Sequence, residues 1–430
     1  MSFDSIGLPQ DLLKAVKECG YTTMTPIQQR AIPAVRLGQD ILASAQTGTG
    51  KTAAFALPII EKLLADKPSD QPAVRALILT PTRELAIQVA DNIRQYTQFT
   101  HLKTAAVYGG VGTASQEKQL KAGVDILVAT PGRLRDHLGL RTVSISQMKT
   151  LILDEADRML DMGFLTDIEQ IIAGVKHPHQ TLMFSATFSN KVKSLATQLL
   201  TNPRILETSK PNATASKVRH YVYPVEEHRK SEMLAELIGV NNWKQVLVFA
   251  GTKESANLIA QELKLDGIKT ALCHGDKSQG NRNRALEDFT NGKVRVLVAT
   301  DVAARGLDIN DLQYVVNYHL PFLAEDYVHR IGRTGRAGKS GTALSLVSPK
   351  DHKFLGDIEK IVGYKIEQVK LKGYEFDPLD YANKYEKKAA AIAAAAPKMN
   401  RHKANLVKNR AVAKKNATAT KPVRKSRYSS

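Results

Sequence analysis

Leu151-Ile152-Leu153-Asp154-Glu155-Ala156-Asp157 is an apolar run that ends in acidic residues, and upstream Ile41-Leu42-Ala43 leads into Ala45-Gln46-Thr47-Gly48-Thr49-Gly50-Lys51-Thr52. Each reads as a short strand delivering a polar segment. Gly48 and Gly50 let the backbone turn tightly, so that successive N–H groups point at phosphate oxygens. The helix that follows presents its positive end to the same anion. Lys51 is placed to reach the β and γ phosphates, and the Thr52 hydroxyl to bind Mg²⁺. In the acidic segment, Asp154 would hold the metal through water and Glu155 would polarise an attacking water. Taken singly, a glycine-rich turn with an accidental lysine or a solvated acidic helix start explains either segment. Together, in order and each after a strand, they read as one nucleotide-hydrolysing site.

Outward from this pair the chain alternates short β-rich runs with amphipathic stretches. Ile41–Ser44, Ala76–Thr80, Thr104–Tyr108, Asp125–Ala129, Thr150–Asp154 and Thr181–Ser185 are the expected strands. Arg83–Gln95 and Thr166–Val175 are expected helices between them. This is the pattern of a parallel sheet covered by helices on both faces. The segment 208–216 lacks large apolar residues and contains Pro211, which predicts a linker. The pattern then restarts, with strands expected at Val246–Ala250, Thr270–Cys273, Val294–Ala299, Tyr314–Tyr318 and Thr342–Val347. Lys253–Leu263 and Gln279–Phe289 are expected helices. This second unit has no lysine-bearing phosphate loop.

The 430 residues are 43% hydrophobic, in short runs that suit an α/β protein. The longest uncharged apolar stretch, Ala389–Ala396, is far below the ~18 residues of a membrane span. Cys19 and Cys273 stand far apart, and the opening Met1-Ser-Phe-Asp-Ser lacks a basic-then-apolar pattern. Reduced thiols and a cytoplasmic location are the expectation. From Asn383 to Ser430 there are 14 Lys/Arg against the single acidic Glu386, a net +13 of the chain's +19. Charge so concentrated suits an electrostatic arm for polyanions, or a solubilising tail.

The full motif set, over about Phe3 to Pro378, resembles the DEAD-box ATP-dependent RNA helicases. Gly20-Tyr-Thr-Thr-Met-Thr-Pro-Ile-Gln28, with Phe3 ahead of it, resembles the adenine-reading element of that family. Gln28 carries an amide able to pair with the edge of adenine, and Phe3 would pack on the base. Met24 replaces the usual proline, and Ala45 opens the phosphate loop as it does in the family. Pro81-Thr82-Arg83-Glu-Leu-Ala86, Gly109-Gly110 and Thr130-Pro-Gly-Arg133 match elements that grip an RNA backbone. Their hydroxyl, guanidinium and glycine N–H groups suit phosphate and offer little for reading bases. Ser185-Ala-Thr187 resembles the element that, with Asp157, links hydrolysis to strand separation.

By the same resemblance, Thr252, Arg282 and Thr300 contact RNA, whereas Gly306 and Asp308 face ATP, Asp308 at the ribose. In His329-Arg-Ile-Gly-Arg333-Thr-Gly-Arg336, Arg333 and Arg336 would be arginine fingers and His329 would couple to the acidic motif. The implied architecture is two tandem RecA-like domains. Residues 1–207, including the adenine element at 1–29, bind ATP; 217–378 form the second domain, and 379–430 a basic, Ala-rich tail. The implied activity is RNA-stimulated hydrolysis of ATP, with Mg²⁺, driving local and non-processive unwinding of short duplexes. The opening residues and the tail point to the bacterial RhlE-type branch. Ribosome-assembly or RNA-decay proteins fit as partners. An ATP-gated RNA clamp shares these motifs, and a DNA translocase is the remaining alternative.

Overall fold

In the computed structural model of the chain, residues 1–44, 49–66, 73–175, 177–207, 218–304, 312–335 and 341–375 are described. The expected linker and tail lie outside them, as do Ala45, Gln46, Thr47, Gly48, Gly306, Asp308 and Arg336.

The apolar runs become parallel strands, joined by one edge strand that is not apolar. These are β1 (Ile41–Ser44), β2 (Ala76–Leu79), β3 (Thr104–Val107), β4 (Ile126–Ala129), β5 (Thr150–Leu153), β6 (Gln180–Ser185) and β7 (Arg204–Glu207). They form one sheet in the order β3-β4-β2-β5-β6-β1-β7. Alternate side chains leave opposite faces, so Ile41, Ala43, Ala76 and Ile78 enter one core while Leu42, Leu77 and Leu79 enter the other. A strand buried on both faces must be apolar throughout, which explains the continuous runs in the sequence.

A second sheet contains β8 (Val218–Pro224), β9 (Val246–Ala250), β10 (Thr270–Cys273), β11 (Val296–Thr300), β12 (Tyr314–Asn317), β13 (Gly341–Val347) and β14 (Glu367–Gln368). Its order is β10-β11-β9-β12-β13-β8-β14. Numbered from its own first strand, this is the order of the first sheet, so the restart in the sequence is a restart of topology.

Three strands were not anticipated: β7, β8 and β14. β7 and β14 are outermost strands and mostly exposed. β8 alternates, with Arg219 exposed between buried Val218 and His220. Edge and half-exposed strands lack the apolar run that marked the others. Among the described residues, no helix is long and apolar enough to cross a membrane.

Candidate active site

In a parallel sheet every strand points its carboxyl end the same way, so the segments that follow the strands gather along one edge. Local chemistry then sets each turn. Thr82 caps the helix Arg83–Thr97, its hydroxyl accepting the Leu85 N–H at 3.3 Å. Pro131 occupies the first turn of the helix Pro131–Gly139, where its missing N–H costs nothing. Thr25 and Gln28 form a capping box at the helix Pro26–Arg36, so the Gln28 side chain is fixed by its own helix start.

The edge brings Lys51 and Asp154 together: Nζ and Oδ1 lie 3.7 Å apart, both buried, and neither atom has a hydrogen-bond partner among the described residues. Thr52 follows on the same helix, Lys51–Ala65. Glu155 is buried beside them. Burial pushes its carboxyl up, opposed by Lys51 and reinforced by Asp154, while Arg333 draws it down. Its backbone is left-handed, with φ 56° and ψ 52°. A non-glycine residue pays for that conformation, which is the kind of strain found where a side chain must be aimed.

Asp157 is the anchor of the neighbouring loop. Its Oδ2 accepts the N–H groups of Ala186 and Thr187 at 3.1 and 3.0 Å and the Thr187 hydroxyl at 3.1 Å. The Ser185 hydroxyl donates to the Thr187 carbonyl at 2.7 Å, closing the turn. Burial alone would raise the Asp157 carboxyl, but His329, Arg158 and Lys51 with the Thr187 N–H outweigh it and hold the group below the usual carboxylate range. Asp157, Ser185, Thr187 and His329, chosen from three separate stretches of sequence, therefore share one electrostatic neighbourhood.

Both ends of the Gln28 amide are anchored. Its Oε1 accepts the Thr25 N–H at 2.8 Å and its Nε2 donates to the Gly50 carbonyl at 3.1 Å. A Cβ on Gly50 would lie 2.4 Å from that nitrogen, so the close approach itself requires glycine. Phe3 differs in setting from a ring offered to a base. It is 2% exposed and stacks on Tyr21 with centroids 6.3 Å apart, leaving Tyr21 as the partly exposed ring.

Along the rest of the edge, Arg83 and Arg133 converge on the turn Gly109–Val111. Arg83 Nη1 reaches the Gly110 carbonyl at 3.5 Å, and Arg133 Nη2 donates to the Val111 carbonyl at 3.0 Å. Gly110 has φ +77°, and a Cβ there would meet Arg83 at 2.2 Å. Among the described residues, Arg133 Nε and Nη1 are buried without hydrogen-bond partners, Nε lying 3.6 Å from Asp136 Oδ2. Pro81, Thr82 and Thr130 line the same edge, largely buried.

On the second sheet, exposed Thr252 caps the helix Lys253–Leu265, and Thr300 ends β11. Arg282, expected on RNA, is instead 4% exposed and pairs with Glu84 of the first sheet's edge at 2.8 Å. Arg158 likewise pairs with Asp326, which stands on the helix Ala324–Ile331 of the second unit. One residue escaped the sequence reading. Arg330 donates to both oxygens of Asp301 at 2.6 Å, to Asn317 Oδ1 at 3.1 Å and to the His319 carbonyl at 2.6 Å. It thereby ties the helix bearing His329 to the end of β11. The arginine-rich motif hid it, since no local signal separates an inward arginine from its neighbours.

A family model described as DEAD/DEAH box helicase matches residues 25–195, and one described as Helicase conserved C-terminal domain matches 229–338. The chain is 44% identical to the DEAD-box ATP-dependent RNA helicase RhpA of Helicobacter pylori over 366 residues, 85% of this chain and 73% of that protein. Among solved structures, S. cerevisiae Dbp5 bound to RNA and ADP BeF3 superposes with a TM-score of 0.76 at 33% identity, covering 90% of this chain and 99% of that one. A DEAD box protein from Methanococcus jannaschii gives 0.51 at 39% identity, covering 86% and 99%. Motifs, twinned sheets and relatives agree, and the chain belongs to the DEAD-box ATP-dependent RNA helicases, enzymes that hydrolyse ATP.

Proposed function

We propose that hydrolysis at Lys51, Asp154 and Glu155 is coupled to closure of two RecA-like domains, 1–207 and 217–378, on the backbone of an RNA strand, opening short duplexes locally. The observation that carries this reading is the buried ion pair of Glu84 on the first unit with Arg282 on the second, at 2.8 Å, and Arg333 of the second unit also draws down the carboxyl of the buried Glu155 of the first. The site is then complete only when the two units meet. The cross-sheet pairs Glu84–Arg282 and Arg158–Asp326 support it. So does the superposition: Dbp5 with RNA and nucleotide fits better than the more identical Methanococcus jannaschii protein. Sequence identity alone therefore does not set the score.

In this mechanism Lys51 holds the β and γ phosphates, Glu155 orients the attacking water, and Arg333 with Arg336 meets the charge that develops on the transferred group. Gln28 reads adenine, and Gly306 and Asp308 complete the nucleotide side. Arg83, Gly110, Thr130, Arg133, Thr252 and Thr300 hold phosphates of the strand, with Arg282 acting through Glu84 to draw the second unit onto that edge. Mg²⁺ fits the donor set: Asp154 Oδ1 is buried without a hydrogen-bond partner among the described residues, and Thr52 is adjacent to Lys51. Thr52 and Asp154 would hold the ion, which takes few protein ligands beside phosphate oxygens and water and neutralises developing charge.

The basic tail from 379 onward is read as an arm for RNA; the tail and the opening residues support the RhlE-type branch, and a cytoplasmic location and work in ribosome biogenesis or RNA decay belong to the same proposal. Arg333→Ala in the full chain tests the coupling. RNA-saturated turnover is expected to fall by ~10³-fold, the scale of an arginine finger, with a smaller change in ATP affinity. Turnover near that of the unaltered protein overturns the two-domain site. The buried cross-sheet pairs would serve an ATP-gated RNA clamp equally well. Release of a short duplex during turnover separates the helicase from the clamp, which closes without releasing a strand.

A further inference from the structure

We infer that His319 is a positioning residue for RNA engagement, holding the Gly251–Thr252 turn through its ring nitrogen; the inference rests on the reading of Thr252 as an RNA contact. Gly251 leaves the carboxyl end of β9, and its N–H donates to His319 Nδ1 at 3.1 Å. The next residue, Thr252, begins the helix Lys253–Leu265, its hydroxyl accepting the Ser255 N–H at 3.1 Å and its own N–H donating to Ser255 Oγ at 3.0 Å. His319 thus holds one side of the turn and Ser255 the other.

The opposite ring nitrogen is equally constrained. Nε2 lies 3.4 Å from Glu227 Oε1, on the turn that follows β8. Glu227 also pairs with buried Lys230 at 2.9 Å and with Lys350 at 3.2 Å. Burial would raise its carboxyl, but His319, Lys230 and Lys350 together hold it well below the usual range. A permanent carboxylate at Nε2 and an N–H donor at Nδ1 select one neutral tautomer, with the proton on Nε2. The backbone of His319 is pinned as well, its carbonyl accepting from Arg330 at 2.6 Å. Arg330 is the residue that reaches Asp301, adjacent to Thr300. The same contact set therefore links two turns assigned to RNA, after β9 and after β11.

Two substitutions separate the ring's two roles. His319→Asn places an oxygen near the Nδ1 position and keeps the acceptor for Gly251. His319→Gln places its amide near Nε2, keeps the link to Glu227 and loses that acceptor. The measurement is RNA titration of ATPase activity in the full chain, alongside Thr252→Ala, with thermal unfolding as a folding control. The apparent KM for RNA is expected to rise about 3- to 10-fold in His319→Gln, the scale of one lost hydrogen bond. It is expected to stay within about 2-fold in His319→Asn, with RNA-saturated kcat near the unaltered value in both. A His319→Gln variant matching the unaltered protein, or equal losses in both variants, overturns the inference. If Thr252→Ala leaves the RNA KM unchanged, the RNA assignment of the turn fails, and the positioning role with it.

Discussion

Glu84 and Arg282 form an ion pair at 2.8 Å although they stand on the edges of two different sheets, on the helices Arg83–Thr97 and Gln279–Thr290. Both side chains are almost fully enclosed. Charges buried in this way are tolerated when paired, and the loss of one partner strands the other. Each of Glu84→Gln and Arg282→Gln is therefore expected to lower RNA-stimulated ATPase activity. The double variant should lose little more than either single one, with a coupling energy on the order of 1 kcal/mol. Additive losses in the cycle would show that the two residues act separately.

Lys51 and Glu155 should fail in different ways. Lys51→Ala removes the cation proposed to face the β and γ phosphates and is expected to weaken ATP binding as well as abolish turnover. Glu155→Gln keeps the shape of the side chain and should retain ATP binding while turnover falls ~10²–10⁴-fold, the usual contribution of a group that manages a proton or a water. Nucleotide binding by fluorescence titration and single-turnover hydrolysis distinguish the two. Near-normal turnover in Glu155→Gln refutes its role.

Gln28 links the adenine element to the phosphate loop through its bond to the Gly50 carbonyl. Beyond the bonds to Gly50 and Thr25, its amide keeps a second N–H and a second lone pair with which to read a base. Gln28→Ala is expected to reduce the preference for ATP over GTP in kcat/KM by about 10-fold, the scale of two lost hydrogen bonds. Equal use of ATP and GTP by the unaltered enzyme would rule the assignment out.

Asp157 should make stability sensitive to acid. Its folded carboxyl is held below the unfolded value by His329, Arg158, Lys51 and the Thr187 N–H, which outweigh burial. The unfolded state then takes up a proton first as pH falls, so the stabilisation is complete above ~4 and disappears as pH drops through the lowered folded value. Melting temperatures of the unaltered protein and Asp157→Asn should differ by a constant amount near neutrality and converge in acid. A gap independent of pH contradicts this.

Much of this molecule was legible in one dimension. Strands buried on both faces must be apolar, so β1, β2, β5 and β9 were visible as runs such as Leu151-Ile152-Leu153 and Val246–Ala250. Phosphate chemistry needs particular residues within a few positions of one another, so Lys51, Thr52, Asp154 and Glu155 were visible for the same reason. By itself the sequence determined the parallel α/β class, the restart of the pattern and the nucleotide motifs. The edge strand β7 and the short strand β14 were not legible, because partial exposure relaxes their composition.

What the tertiary structure alone decided is partnership. Nothing local pairs Arg282 with Glu84, Arg158 with Asp326, or His319 with Gly251, because these contacts join segments far apart in the chain. An arginine suited to phosphate is equally suited to a carboxylate, and its type does not say which it will meet. Only the placement of the strands, which brings loops from distant positions to one edge, makes that choice.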